Sequence, residues 1–173
     1  MALAAFDLIK TTGTAPGTEN DSQHHPCYLS VDSNSTDTDS NSIAVPKSGG
    51  PNFSYEQALR FKCTVAPDNY CENFEVWGPP VQPDHDRNPA NKVTIYWGVS
   101  ASYSQPTNSQ SSIATTRQDT NYYDSEHALL LHSEQITAIN QKTNLLYDQM
   151  QVALGAQQGK LTTMTRNLAY DEV

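Results

Sequence analysis

From Phe53 to Val65 the side chains alternate in character at every step but two. Phe53, Tyr55, Leu59, Phe61, Cys63 and Val65 share one parity, with Gln57 the polar member. Ser54, Glu56, Arg60, Lys62 and Thr64 share the other, with Ala58 the apolar member. Successive strand side chains point to opposite faces, so the stretch predicts a long, half-buried β-strand. Pro67, Asp68 and Asn69 interrupt it. Proline presets φ, and Asp and Asn satisfy local backbone groups, which predicts a turn. Phe74 and Val76 then alternate with Asn73 and Glu75 in a second strand ending at Trp77, a side chain expected to plug the core. The apolar parity changes between Phe61 and Phe74. Either a bulged hairpin or an arch into a second sheet explains such a change. Cys63 and Cys71 flank the turn and are the candidate disulfide, although a simple hairpin would point their thiols to opposite faces. With Cys27 they make an odd set of three, which favours reduced thiols.

Elsewhere the chain offers shorter strands between turn signals. Residues 2–10 read as a first strand or as a docking arm whose apolar contacts are Phe6, Leu8 and Ile9. Residues 11–23 are loop, and Cys27 to Val31 is a short strand. The tract DSNSTDTDSNS, residues 32–42, cannot bury a face and is an exposed loop. Four prolines make residues 78–90 a loop. Val93, Ile95 and Trp97 alternate with Lys92, Thr94 and Tyr96 in a strand closed by Gly98, and residues 113–117 suit an edge strand. The tail is ambiguous. Leu129, Ile136, Ile139, Leu146 and Met150 stand near heptad positions. Read as strand, Leu146, Met150, Val152 and Leu154 share a parity in which Asp148 is the exception. Gly155 and Gly159 count against one long helix. Strands are therefore expected from about residue 144, the last carrying Met164, Leu168 and Tyr170, with room for a short helix within residues 124–140. Recurrent short strands predict one all-β domain over residues 1–173: a two-sheet antiparallel β-sandwich, jelly-roll or immunoglobulin-like.

Composition narrows the function classes. A net charge of −9 repels nucleic acid and anionic membranes, so neither is an expected partner. No apolar run is long enough to span a bilayer, and the start MALAAFDLIK lacks the basic region of an export signal, so cytoplasmic synthesis is expected. Gly155 to Lys160 is one residue short of a phosphate-binding loop, and Leu161 replaces its hydroxyl residue. His24, His25 and Cys27 lack ordinary chelate spacing across Pro26. Asp32, Asn34 and Asp37 resemble a calcium loop, but Ile43 stands where a bidentate Glu belongs. His127 and His132, with Glu126 and Glu134 near, form no known acid–base pattern, and Asp84 and Asp86 beside His85 read as solvated loop. No catalytic, cofactor or metal site is expected. Trp77, Tyr96, Trp97, Tyr103, Tyr122 and Tyr123 could line a sugar-binding groove, although such rings more often serve core or interface.

Three segments carry a family resemblance: SYEQALRFKCTVAPDNYCENFEVW, VTIYWGVSASYSQPTNSQSSIATT and MQVALGAQQGKLTTMTRNLAYDEV. Their long strand entering a turn, the aromatic-ended NFEVW strand, the VTIYWG strand with its Tyr103 to Pro106 loop, and the closing Tyr170 to Glu172 resemble small β-sandwich structural proteins of tailed bacteriophages. The resemblance runs from Phe53 to Val173. It implies a terminal β-strand and a non-enzymatic virion component, a capsid decoration or a neck or tail accessory protein. Other virion proteins and further copies of the chain are the partners so implied. A carbohydrate- or receptor-binding module of a fibre or spike is the alternative that the aromatics and polar loops suggest.

Overall fold

The computed structural model describes residues 3–21, 27–78, 92–156 and 165–173. Its strands are β1 (Ala5–Thr12), β2 (Thr18–Asp21), β3 (Asn52–Phe53), β4 (Gln57–Val65), β5 (Cys71–Trp77), β6 (Val93–Ser100), β7 (Thr116–Arg117), β8 (Leu129–His132), β9 (Leu145–Val152) and β10 (Asn167–Glu172). One helical turn, α1 (Gln118–Asn121), follows β7. The strands form two antiparallel sheets packed against each other, an all-β sandwich. The larger sheet has the order β2-β1-β4-β9-β6-β7, with β3 beside β9; the smaller has the order β10-β5-β8.

The Pro67–Asn69 turn is an arch. The alternating strand β4 belongs to the larger sheet and β5 to the smaller, so both apolar faces turn inward. Cys63 and Cys71 are therefore buried in one core cluster with Leu59, Phe74, Val76 and Trp97. Hairpin parity does not apply to them, and a bulge in β5 also shifts the phase of Cys71. Asn73 takes a positive φ of 53°, and the β10 pairing jumps there, from Ala169 opposite Glu75 to Asp171 opposite Glu72. That bulge inserts one residue, so Cys71 faces the core together with Phe74. The two thiols are nevertheless unbridged. Burial raises the pKa of Cys63, and burial with the nearby Glu172 charge raises that of Cys71 to about 11. Only the thiolate reacts, so a maleimide at neutral pH is expected to label the half-buried Cys27 first. Cys63 and Cys71 should label only after unfolding; mass spectrometry showing both protected after unfolding without reductant would instead reveal a disulfide.

Residues 5–12 are not a free arm. The strand β1 lies between β2 and β4, Phe6 and Leu8 pack on the core, and Ile9 is buried. Of the three apolar side chains, Ile9 is buried and Phe6 and Leu8 are half-buried within the chain. The Cys27–Val31 segment is not a strand either. Isolated bonds hold it, from the Tyr55 N–H to the Leu29 carbonyl and from the Ser30 N–H to the Asn41 carbonyl, 2.9 Å each.

Trp97, fully buried, fills the core, whereas Trp77 is only half-buried. Parity explains the exchange. Phe74 and Val76 face inward, so Trp77 lies on the outer phase of β5, while Trp97 shares the inward phase of Val93 and Ile95. Gly98 does not end its strand, which continues to Ser100. A Cβ there would collide with the Ile113 carbonyl, so this glycine admits a close backbone approach from the loop crossing the sheet.

That loop gives the larger sheet a second covered face. On β9, Leu146, Met150 and Val152 enter the inter-sheet core, while Leu145 and Tyr147 pack with Ala58 and Ala114 on the outer side. The heptad spacing of the tail is thus a strand buried on both faces, whose near-continuous apolar run imitates a helical stripe. Within residues 124–140 the helical structure is one 3₁₀ turn, Ser125–His127, capped by the Asp124 carboxylate.

Candidate functional site

Asp148, the polar exception on β9, lies at the centre of the larger sheet. It stands between Gln57 on β4 and Trp97 on β6 and is fully buried. Arg166, just before β10, reaches it from the other sheet, donating to Asp148 Oδ2 from Nε at 2.9 Å and also from Nη2. Arg166 Nη2 also donates to the Tyr28 hydroxyl at 3.3 Å. Burial alone would lower the pKa of Arg166; the Asp148 carboxylate reverses this and raises it. Burial, then the Asp148 charge, raises the Tyr28 phenol well above its ordinary value. Lys10 approaches from β1, its Nζ bonded to the Ser33 carbonyl at 2.7 Å, and burial lowers its pKa. A carboxylate held in this way is a staple between sheets, its Oδ2 bonded to Arg166 and its Oδ1 buried.

Glu56 is used similarly on the outer side. It accepts from the Ser111 hydroxyl and, at 3.0 Å, from the Thr107 N–H. Gln149 donates from Nε2 to the carbonyls of Ser54 (3.0 Å), Thr107 (3.2 Å) and Ser109 (2.7 Å). The network pins the loop that crosses the sheet. Burial raises the Glu56 pKa, opposed by its bonds from Ser111 and Thr107. The folded state therefore binds the Glu56 proton more tightly than the unfolded chain does. Its contribution to stability is full below the unfolded pKa and is lost as pH rises through the folded value. Thermal melts above pH 4.5 should show the advantage of wild type over Glu56→Gln shrinking as pH rises. A difference independent of pH would contradict the raised pKa.

The other residues singled out in the sequence are dispersed. His24, His25, Pro26, Asp84, His85, Asp86, Lys160, Leu161 and Met164 lie outside the described residues. The Asp37 carboxylate serves its own turn, accepting from the N–H groups of Asp39 and Ser40 at 3.1 Å each. Among the described residues no group of three or more His, Cys, Asp or Glu is placed to hold a metal ion, and no helix is long and apolar enough to cross a membrane. The rings do not converge on a groove. Trp97 is buried and stacks on Tyr122 at 6.1 Å, Tyr96 and Tyr103 pack on the outer side, and Tyr123 stacks on His127 at 4.3 Å.

His127 reveals an arrangement that the pairing with Glu126 missed. Its Nδ1 lies 2.7 Å from Asp124 Oδ1 and its Nε2 lies 3.1 Å from the Tyr123 hydroxyl. The spacing Asp-x-x-His around a tight turn was the available signal. Asp124 also accepts from the N–H groups of Glu126 and His127, and the His127 hydrogen bond leads in holding its pKa below the usual value. The trio closes a surface turn. An open groove of about 440 Å³ is lined by Ser30, Asn52, Phe53, Asn108, Ser109 and Gln110 among others, none of them titratable.

Several segments distant in sequence meet at one end of the sandwich. The arch joining β4 to β5, the start of β1, the end of β10 and the loop over residues 133–141 meet there. Ala5 pairs with Val65, Tyr70 exchanges backbone bonds with Val173, Ile136 bridges Cys71, and the Asn140 N–H reaches the Cys63 carbonyl at 2.9 Å. These segments carry four exposed apolar side chains: Leu3 (81% exposed), Ile139 (55%), Val173 (53%) and Val65 (40%). Asp68, Glu72, Glu134, Asp171 and Glu172 stand in the same segments, and Lys62 and Lys142, bridged to each other, stand at their edge.

Comparison of the chain with protein-family models, with curated proteins and with solved structures finds no match.

Proposed function

We propose that the chain is a non-enzymatic structural component of a tailed-bacteriophage particle, a capsid decoration or a neck or tail accessory protein. It is made in the host cytoplasm and carried in many symmetric copies on the virion. Multivalent repetition then makes modest contacts strong together. The observation that carries the reading is the apolar end of the sandwich, where Leu3, Val65, Ile139 and Val173 are exposed on segments that pair with one another, whereas Val31, Leu130 and Leu154 are exposed elsewhere. Exposed apolar side chains gathered in one place mark interaction sites, whereas scattered ones do not. The internal use of Asp148, Arg166 and Glu56 supports binding over catalysis. The segment resemblance supplies the virion setting. Quantitative mass spectrometry of purified particles tests it: the chain should be present at a fixed ratio to the main shell protein, and its absence from particles would remove the reading.

A second reading rests on the open groove, where the Phe53 ring stands among amide and hydroxyl side chains, a lining suited to a glycan. A glycan array with wild type and Phe53→Ala separates it from the first; no glycan signal would dismiss it.

A further inference from the structure

We infer that the centre of the larger sheet carries an internal water site, built on its inward face by Gln57, Asp148 and Trp97. Strand register sets these side chains in one row. Asp148 on β9 is the direct partner of Gln57 on β4 and of Trp97 on β6. All three share the inward phase, since Leu59, Leu146, Met150 and Ile95, two residues along the same strands, belong to the inter-sheet core. Directly opposed residues of an antiparallel pair have Cβ atoms about 4.5–5.5 Å apart, so both neighbours stand within side-chain reach of the carboxylate.

The three side chains are at most 1% exposed. Gln57 Nε2 and Oε1, Asp148 Oδ1 and Trp97 Nε1 are nevertheless without a hydrogen-bond partner among the described residues. A polar atom buried in that way bears the full cost of its desolvation, and neighbours within reach that do not bond directly are the setting in which a water bridges. The chemistry of the four atoms selects the ligand. Trp97 Nε1 and Gln57 Nε2 donate; Asp148 Oδ1 and Gln57 Oε1 accept. Two donors and two acceptors match the two lone pairs and two protons of one water, within the 2–4 bonds that buried waters make. A cation cannot accept from the two N–H groups, and Arg166 and Lys10 already stand near Asp148. An anion is repelled by Asp148 Oδ1. With Arg166 on Oδ2 and water on Oδ1, both carboxylate oxygens are bonded, and the staple extends across the three central strands β4, β9 and β6.

The test reads the Trp97 indole proton by NMR in the isotope-labelled full chain. The chain has two tryptophans, and Trp77→Phe, at a half-buried position on the outer phase of β5, assigns the signal. The inference expects a cross-peak between the Trp97 indole proton and water, with opposite signs in NOE and ROE spectra. That pattern marks dipolar contact with a long-lived water and not proton exchange. Gln57→Met removes one donor and one acceptor at similar volume, and should weaken the cross-peak at least about twofold while the backbone amide spectrum shows the fold kept. No cross-peak in the wild type would mean that the row is dry or bonds directly, and would overturn the site. A cross-peak of unchanged strength in folded Gln57→Met would trace it to a relaying hydroxyl and would overturn the site equally. A crystal structure of the wild type needs no variant. A water within about 3.2 Å of Asp148 Oδ1 and Trp97 Nε1 supports the site, and direct contact between those two atoms overturns it.

Discussion

Arg166→Ala is expected to destabilise the protein by about 3–5 kcal/mol, because it removes one member of a buried ion pair and leaves the other uncompensated. Asp148 is fully buried on a central strand, and its Oδ1 makes no hydrogen bond within the protein. Lys10 is the other cation near it, and its Nζ is already bonded to the Ser33 carbonyl at 2.7 Å. Tyr28 would lose the guanidinium that bonds its hydroxyl and lies 5.8 Å over its ring. The loss approaches the whole stability of an ordinary domain, ~5–15 kcal/mol, so the variant should be largely unfolded at 37 °C. The pair itself is worth much less than its disruption. Replacing both partners with apolar residues, Asp148→Leu with Arg166→Met, should recover most of the loss, because desolvating two charges offsets their attraction. Urea denaturation of the wild type, the single variant and the double variant checks both halves. A single variant costing less than about 1 kcal/mol, the range of surface pairs, would mean that the carboxylate is not buried as described.

Trp97→Ala should cost about 3–5 kcal/mol, the range for truncating a large aromatic in a packed core. The side chain is fully buried, stacks on Tyr122 with an interplanar angle of 12°, and belongs to the cluster of Leu59, Ile95 and Phe74. Trp77→Ala should cost clearly less, since Trp77 is half-buried and stands on the outer phase of β5. Denaturation midpoints with unchanged m-values measure the pair cleanly. A larger loss at Trp77 than at Trp97 would reverse the inward phase of β5 or β6.

The strands were legible wherever one face is buried and the other wet. Val93 to Trp97 alternates because packing imposes a period of two on it. Phe53 to Val65 is not the single strand expected: Phe53 belongs to β3, residues 54–56 lie in no strand, and β4 begins at Gln57. Legibility failed at three kinds of place. On β9 both faces are covered, so polarity carries no phase and Asp148 looks like an error when it is a staple. At Asn73 a bulge shifts the phase by one residue, which made Cys71 look outward. At Gly98 the reason for glycine is a loop more than ten residues away in sequence, which no local pattern records. The apolar end was invisible for a related reason. Leu3, Val65, Ile139 and Val173 are unremarkable where they stand in the chain, and only the arch and the strand order bring them together.

The structural role is tested most directly by a single-particle reconstruction of the virion. The sandwich should appear as repeated density attached to a larger shell, neck or tail protein, with Leu3, Val65, Ile139 and Val173 turned toward that protein. Particles without such density, or density with the arch end facing solvent, would contradict it.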